Sequence, residues 1–391
     1  MPARNNLYIF ILALGVFGIL TTEMGVVGIL PLIADYYQIS IAKASLLVSM
    51  FALAVAISGP IMPLLFSGIN RKKVMILVLS LFLLGNIVSI FASNFTILLL
   101  ARVIPAFFHP VYCSIALTAA AASVRKEDAP KAVSKVMMGV NAGMILGVPI
   151  TNLIANGTSL EMAMLFFAIL NALALLATLL FVPSLPVKES LSYGTQLNLL
   201  KKPIVWTAIA TVIFISSATS GVNSFIAEYL ESVTNISGTF LSIMLFIFGL
   251  ASLLGNIIGG NLLSRNPIKT TTLFPFVLGI AFLLSFVTGG TPSTMIMTIF
   301  LWGVLFSVGS MINQYSMTLA APEAPDFANG LFLSGGNLGI TIGTGIGGLF
   351  ISGLGTQYIV IGGILFLILS LCSILLTNYM IRPGKQLTGI N

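Results

Sequence analysis

The chain has 391 residues, 58% of them hydrophobic and 7% charged, with a mean hydropathy of +1.10 and a formal net charge of +7. A soluble domain carries roughly 25% charged residues, so this deficit excludes a water-facing surface over most of the molecule and implies a lipid-facing one. The positive charge therefore reads as membrane orientation, not as a nucleic-acid footprint, and no nucleic-acid partner is expected.

A membrane helix needs about 20 largely apolar residues. Twelve such runs can be drawn, over 7–30, 44–65, 74–92, 95–121, 133–155, 162–182, 204–227, 238–263, 271–289, 294–321, 330–353 and 358–381. The first follows a single basic residue, Arg4, and is too long for a signal-peptide core, so a retained first span is expected. Basic residues collect in the even-numbered links and the tails: Arg71, Lys72, Lys73, Arg125, Lys126, Lys131, Lys135, Lys188, Lys201, Lys202, Arg265, Lys269, Arg382 and Lys385, against Lys43 alone on the other side. Lys and Arg are retained on the cytoplasmic side, so both termini are expected there, in a multi-pass protein of the cell membrane.

The longest internal link, 183–203, is rich in Pro, Ser and charge and separates six spans from six. Asn141-x-Gly143-x-x-x-Gly147 in the fifth span recurs as Asn337-x-Gly339-x-x-x-Gly343 in the eleventh, at an offset of 196 residues. The same offset carries Leu7, the start of the first span, onto Pro203, just ahead of the seventh. The fold class is therefore an all-α membrane protein, with twelve helices in two pseudo-symmetric six-helix bundles, 1–182 and 204–391, joined by a cytoplasmic linker at 183–203. Such parallel repeats are the plan of secondary transporters with a site between the halves.

Two charges stand deep within spans, Glu23 in the first and Arg102 in the fourth. A charge near the bilayer interior costs at least about 2.5 kcal/mol, which makes such residues candidates for proton, ion or substrate handling. Each lies seven residues from its span's outer end, about 10 Å deep, so the two are level and are expected to meet or communicate through water. Opening or closing that pair would change the proton affinity of the carboxylate, which is the physical requirement for coupling. A static ion pair that fixes two helices is the plain alternative. His109, the only histidine, lies at i+7 from Arg102 on the same face and suits a proton relay or a packing role; Pro110 after it should loosen the helix.

Gly143, Gly147 and Pro149 in the fifth span, with Asn337, Gly339 and Gly343 in the eleventh, provide close helix contact and a bend, read here as a seal between halves. Ser216, Ser217, Thr219, Ser220 and Asn223 form an uncharged polar stretch in the seventh span, where Thr219 is the counterpart of Glu23. With Thr22, Trp302, Asn313, Gln314 and Tyr315 they are the expected substrate-cavity contacts. Cys113 and Cys372 sit in apolar runs without metal-ligand spacing and read as packing residues. A phosphate-binding Gly-Lys-Ser/Thr loop and a His-Glu-x-x-His set are both missing, so neither an enzyme nor a cofactor or metal is expected.

In order along the chain, Thr21-Thr22-Glu23 with Gly28-Ile-Leu-Pro31, Leu100-Ala-Arg102 with His109, Gly143-Met-Ile-Leu-Gly147-Val-Pro149, and Ala321-Pro322 with Asp326 and Asn337-Leu-Gly339 resemble motifs of the major facilitator superfamily. Within it they are similar to the drug:proton antiporter group that includes chloramphenicol-resistance, sugar-efflux and purine-nucleoside-efflux proteins. The loop Ser67–Lys73 keeps the basic cluster of that family's cytoplasmic gate but lacks its aspartate, and the second copy has Ser264 before Arg265 where an acid is expected. Arg71, Lys72 and Arg265 remain the candidate gate residues. The resemblance implies a cavity lined by spans one, four, seven and ten, and a proton-coupling arginine at Arg102. The expected function is proton-coupled efflux of small amphipathic molecules by a monomer in the bilayer. The alternatives are a sugar or nucleoside efflux permease, or a membrane receptor or scaffold that does not transport.

Overall fold

In hydrocarbon every backbone N–H and C=O must be paired within the chain, which leaves helices as the economical way to thread so apolar a sequence through a membrane. A computed structural model describes residues 3–44, 46–185, 193–236 and 238–381. Lys188, Arg382 and Lys385 lie outside the described residues, as do the side chains of Arg4 and of the linker around Glu189.

Among the described residues twelve helical segments are long and apolar enough to cross a membrane: Asn6–Tyr36, Leu46–Leu65, Arg71–Ile90, Phe95–Ala122, Lys126–Gly157, Leu160–Phe181, Pro203–Asn223, Ile243–Arg265, Pro267–Thr288, Pro292–Ala320, Pro325–Leu354 and Thr356–Met380. They match the twelve expected runs, with ends set by local chemistry. Asn94 accepts the N–H of Ile97 and Ser159 that of Met162, capping the fourth and sixth spans. Pro203, Pro267 and Pro292 each open a helix, where the missing N–H costs nothing. Gly355, at φ 111°, donates to the carbonyls of Phe350 and Ile351 and ends the eleventh.

Among the described residues two spans change helical geometry part-way along. The first runs as α-helix over Ala3–Gly25, tightens to a 3-10 turn over Val26–Ile29 and resumes over Leu30–Tyr36. It extends six residues beyond the expected end because Val26, Ile29 and Ile33 are buried in an apolar cluster with Leu47, Phe95, Met164 and Phe167. The fourth breaks between Ala106 and His109, into helices Phe95–Ala106 and His109–Ala122. Pro110 has no N–H to offer the preceding turn and its ring crowds the carbonyl four residues back, which accounts for the break.

The chain forms two compact units, residues 1–196 with 324–334, and residues 197–323 with 335–391. The first turns of the eleventh span thus belong with the first six spans, and the glycine pair Gly335-Gly336 marks the change. Part of the linker is itself structured, as a helix over Tyr193–Asn198 and a 3-10 turn over Leu199–Lys201.

The internal repeat is visible in the packing. In the first unit a Cβ on Gly143 would stand 2.9 Å from the Phe17 carbonyl, and one on Gly147 3.3 Å from the Cα of Thr21. In the second unit a Cβ on Gly339 would stand 2.5 Å from the Ile213 carbonyl, and one on Gly343 2.7 Å from the Cα of Ser217. All four pairs are related by the offset of 196. These glycines therefore pack the fifth span on the first, and the eleventh on the seventh, each inside its own unit; the expected seal between halves is corrected to an internal contact. Pro149 sits within the continuous helix Ala129–Gly157, so the expected bend there is not a break.

Candidate functional site

Glu23 lies in the last turn of the first α-helical segment, three residues before the 3-10 turn begins. Because the span reaches Tyr36, thirteen residues on, Glu23 is about 20 Å of rise from that end, twice the expected depth. The carbonyl of the preceding residue, Thr22, accepts a hydrogen bond from Arg102, whose Nη2 donates to it over 2.6 Å. Arg102 is 3% exposed, and its Cζ stands 6.0 Å from the ring of Phe51. The fourth span therefore delivers its guanidinium to the level of Glu23, as expected. The contact itself differs: Arg102 grips the backbone beside Glu23, and among the described residues no Glu23–Arg102 ion pair forms.

The ionic contact of Glu23 is with His109, Oε2 to Nε2 at 3.8 Å, a charge pair whenever the imidazole is protonated. The same Nε2 lies 3.3 Å from Sγ of Cys113, one turn along the helix that His109 starts. The helix break at 107–108 places His109 on the first residue of a new helix, which is how it reaches a carboxylate on the first span. Glu23 Oε2, Arg102 Nε and Nη1, His109 Nδ1 and Thr21 Oγ1 are buried without a hydrogen-bond partner among the described residues. A buried group of this kind retains capacity to take a proton or a polar ligand atom.

Thr22, expected at the substrate cavity, is buried with its hydroxyl engaged by neighbouring spans. Its hydroxyl donates to the Gly18 carbonyl at 2.9 Å and accepts from Asn171 at 2.9 Å and Asn86 at 3.3 Å. This network, which ties the first span to the third and sixth, escaped sequence reasoning; its signal was an asparagine in the middle of each of two otherwise apolar runs.

At the other end of the first unit the basic cluster starts a helix, Arg71–Ile90, capped by Asn70. Cations at a helix N-terminus face the positive end of the dipole and need outside partners. Arg71 finds Asp326, Nη2 to Oδ2 at 3.0 Å, and Lys72 finds the Leu179 carbonyl at 3.0 Å. Asp326 is further held through its backbone carbonyl, which accepts from Ser114 at 2.7 Å, and Asn329 donates to Thr118 at 3.1 Å. The acid missing from the basic loop is thus supplied from the start of the eleventh span. Arg265, the corresponding residue of the second unit, is exposed and has no ion pair among the described residues.

In the second unit the expected polar residues divide. Asn313 Nδ2 donates to Ser216 Oγ at 3.0 Å, and Ser217 donates to the Gly339 carbonyl at 2.9 Å. Thr219 donates to the Ile215 carbonyl at 2.8 Å, and Gln314 to Thr318 Oγ1 at 3.0 Å. Thr219 and Asn223 line a cavity of about 10 Å³ with Trp302, Phe248, Phe282 and Phe306, room for one water molecule. Trp302 is 3% exposed and stacks edge-on with Tyr229 and Phe282. Ser220 is half-buried, and Asn337 accepts through its carbonyl from Thr341. Lys202 and Glu323 pair at 2.6 Å, which holds that exposed carboxyl below the usual range.

The sequence profile of the Major Facilitator Superfamily matches residues 12–325 and 209–388. The chain belongs to that superfamily. It is 29% identical over 367 residues to the inner membrane transport protein YdhP of Escherichia coli, covering 92% of this chain and 93% of the relative. It is 31% identical over 365 residues to the MFS-type transporter YtbD of Bacillus subtilis (90% and 91%), and 29% identical over 363 residues to a probable sugar efflux transporter of Helicobacter pylori (92% and 92%). Among solved structures the fold is similar to that of the fucose:proton symporter FucP of Escherichia coli, with a TM-score of 0.76 at 16% identity over 94% of this chain and 98% of that one. Superfamily membership makes this a multi-pass membrane transporter that handles a small-molecule substrate, and not an enzyme.

Proposed function

We propose that the transporter exports small amphipathic molecules in exchange for protons, with Glu23 as the proton carrier. The observation that supports this is the grouping of Glu23, His109 and Arg102 at the two places where the first and fourth spans lose α-helical bonding. In this reading protonation of Glu23 from outside removes its attraction to His109 and to the nearby guanidinium. The 3-10 turn at Val26–Ile29 and the break at 107–108 take up the resulting shift, and alternating access carries substrate out. Orientation follows the basic even-numbered links, with both termini cytoplasmic, and a single chain completes the path.

The test uses proteoliposomes with ethidium as an amphipathic probe. Glu23→Gln keeps shape and removes the titratable group, so pH-gradient-driven export falls about 100-fold, the effect of losing about 2.7 kcal/mol, while counterflow without a gradient survives. Gradient-driven export at wild-type rate by this variant rejects the proposal.

A second reading, sugar efflux, is favoured by the uncharged hydroxyl and amide set of the second unit around Ser216, Asn313 and Gln314, and by the relative named as a probable sugar efflux transporter. Methyl glucoside in place of ethidium in the same vesicles separates the two.

A further inference from the structure

The second unit contains a cavity of about 300 Å³ between the seventh, ninth, tenth and twelfth spans, near the start of the ninth at Pro267. It shares no lining residue with the small pocket at Thr219 and Trp302. Protein interiors are close-packed, with few voids larger than a water molecule. This one has room for roughly ten waters at about 30 Å³ each and reaches the lower end of the range for ligand pockets, roughly 300–1,000 Å³.

Its polar wall is partly committed. Thr211 donates to the Thr207 carbonyl and meets Ser373 Oγ at 2.8 Å, and Thr377 donates to Thr207 Oγ1 at 2.9 Å. Three groups are open. The hydroxyls of Tyr315 and Ser316 make no hydrogen bond with other described residues, and Asn378 spends its amide N–H on Thr272 at 3.1 Å while its carbonyl oxygen is uncommitted. The opposing wall is apolar, from Ile374 and from Ile268 and Leu319 at the rim, where 65% and 38% exposure open the cavity sideways.

None of the ten lining residues carries a charge. A charged ligand would be desolvated there without a counter-charge, which is strongly unfavourable, whereas a neutral one finds two hydroxyls and an acceptor beside an apolar surface.

We propose that this cavity is a binding site, contained within the second unit, for a small neutral molecule that joins a hydroxyl or amide group to an apolar body. It shares no residue with the proposed proton site and does not depend on the direction or coupling of transport.

The test is fluorine NMR of the full chain in lipid nanodiscs, with para-fluorophenylethanol as the neutral probe and para-fluorophenylacetate and para-fluorophenethylammonium as charged isosteres. Saturable binding of the alcohol alone is expected. Ser316→Phe fills the cavity and should abolish it, while Tyr315→Phe keeps the shape and weakens binding about three- to tenfold, one hydrogen bond's worth. The Tyr315 variant keeps the test valid even where Ser316→Phe fails to fold. Equal signal from protein-free nanodiscs, equal binding by the charged isosteres, or unchanged affinity in Tyr315→Phe overturns the proposal.

Discussion

The two units share a packing scheme and differ in chemistry. Gly143 on Phe17 and Gly147 on Thr21 repeat as Gly339 on Ile213 and Gly343 on Ser217, at one constant offset. At the same offset Glu23 becomes Thr219, Arg102 becomes Thr298, His109 becomes Leu305 and Cys113 becomes Gly309. Thr298 simply donates to the carbonyl of Thr294 at 3.0 Å. Close helix approach in lipid is driven by van der Waals contact and hydrogen bonding, and small residues serve any copy of the fold equally. A buried charge serves no such general end and is costly, so its confinement to one copy points to a task. The difference separates scaffold from proposed machinery: what recurs holds helices together, and the buried charges, which do not recur, are where the proposed proton exchange is placed.

Substitutions at equivalent positions should have equal effects where the two units share packing and unequal effects where their chemistry differs. The largest effect should come from Gly143→Leu and Gly339→Leu, since each side chain would enter a neighbouring backbone. Overpacking of this kind costs about 3 kcal/mol or more, and both variants should lose the monodisperse peak in gel filtration; a tolerant Gly339→Leu would show that the second copy of the contact is looser.

Next comes the charge asymmetry. Arg102→Met strips the Thr22 carbonyl of its partner and leaves Glu23 with His109 alone, a loss of about 3 kcal/mol by analogy with breaking buried pairs. Its counterpart Thr298→Val should cost about 1 kcal/mol at most. Thermal unfolding in detergent compares them, and equal shifts would dissolve the distinction drawn between the units.

The basic loops give a smaller contrast. Asp326→Asn removes a partly buried, charge-assisted hydrogen bond worth about 1.5–3 kcal/mol and should expose the start of the eleventh span to a water-soluble maleimide, read on an introduced cysteine at Asn329. Arg265→Ala should leave labelling unchanged. Smallest is Lys202→Met at the exposed Glu323 pair, within about 0.5 kcal/mol. The Glu323 carboxyl is held below its usual range, so that contribution exists above its unfolded titration range and fades as pH falls through the folded one.

Several features of this protein were legible from residue order. The twelve spans follow from apolar runs of the length a bilayer demands. The repeat follows from two copies of Asn-x-Gly-x-x-x-Gly and one offset, and the importance of Glu23 and Arg102 follows from their rarity. These are properties of spacing and composition, which a chain carries before it folds.

Other features were decided only by tertiary structure. Counting residues placed Glu23 about 10 Å deep, because the added turns at Leu30–Tyr36 depend on an apolar cluster drawn from distant spans. The partner of Glu23 depended on a helix break that swings His109 into reach, and that of Arg102 on the Thr22 carbonyl near the end of the first α-helical segment. Asp326 meets Arg71 across 255 residues of chain, and Thr22 turns inward because Asn86 and Asn171 claim its hydroxyl. Periodicity along a helix says which residues share a face; which neighbour that face meets is settled by packing, where a buried polar group takes the nearest partner that saves it from hydrocarbon.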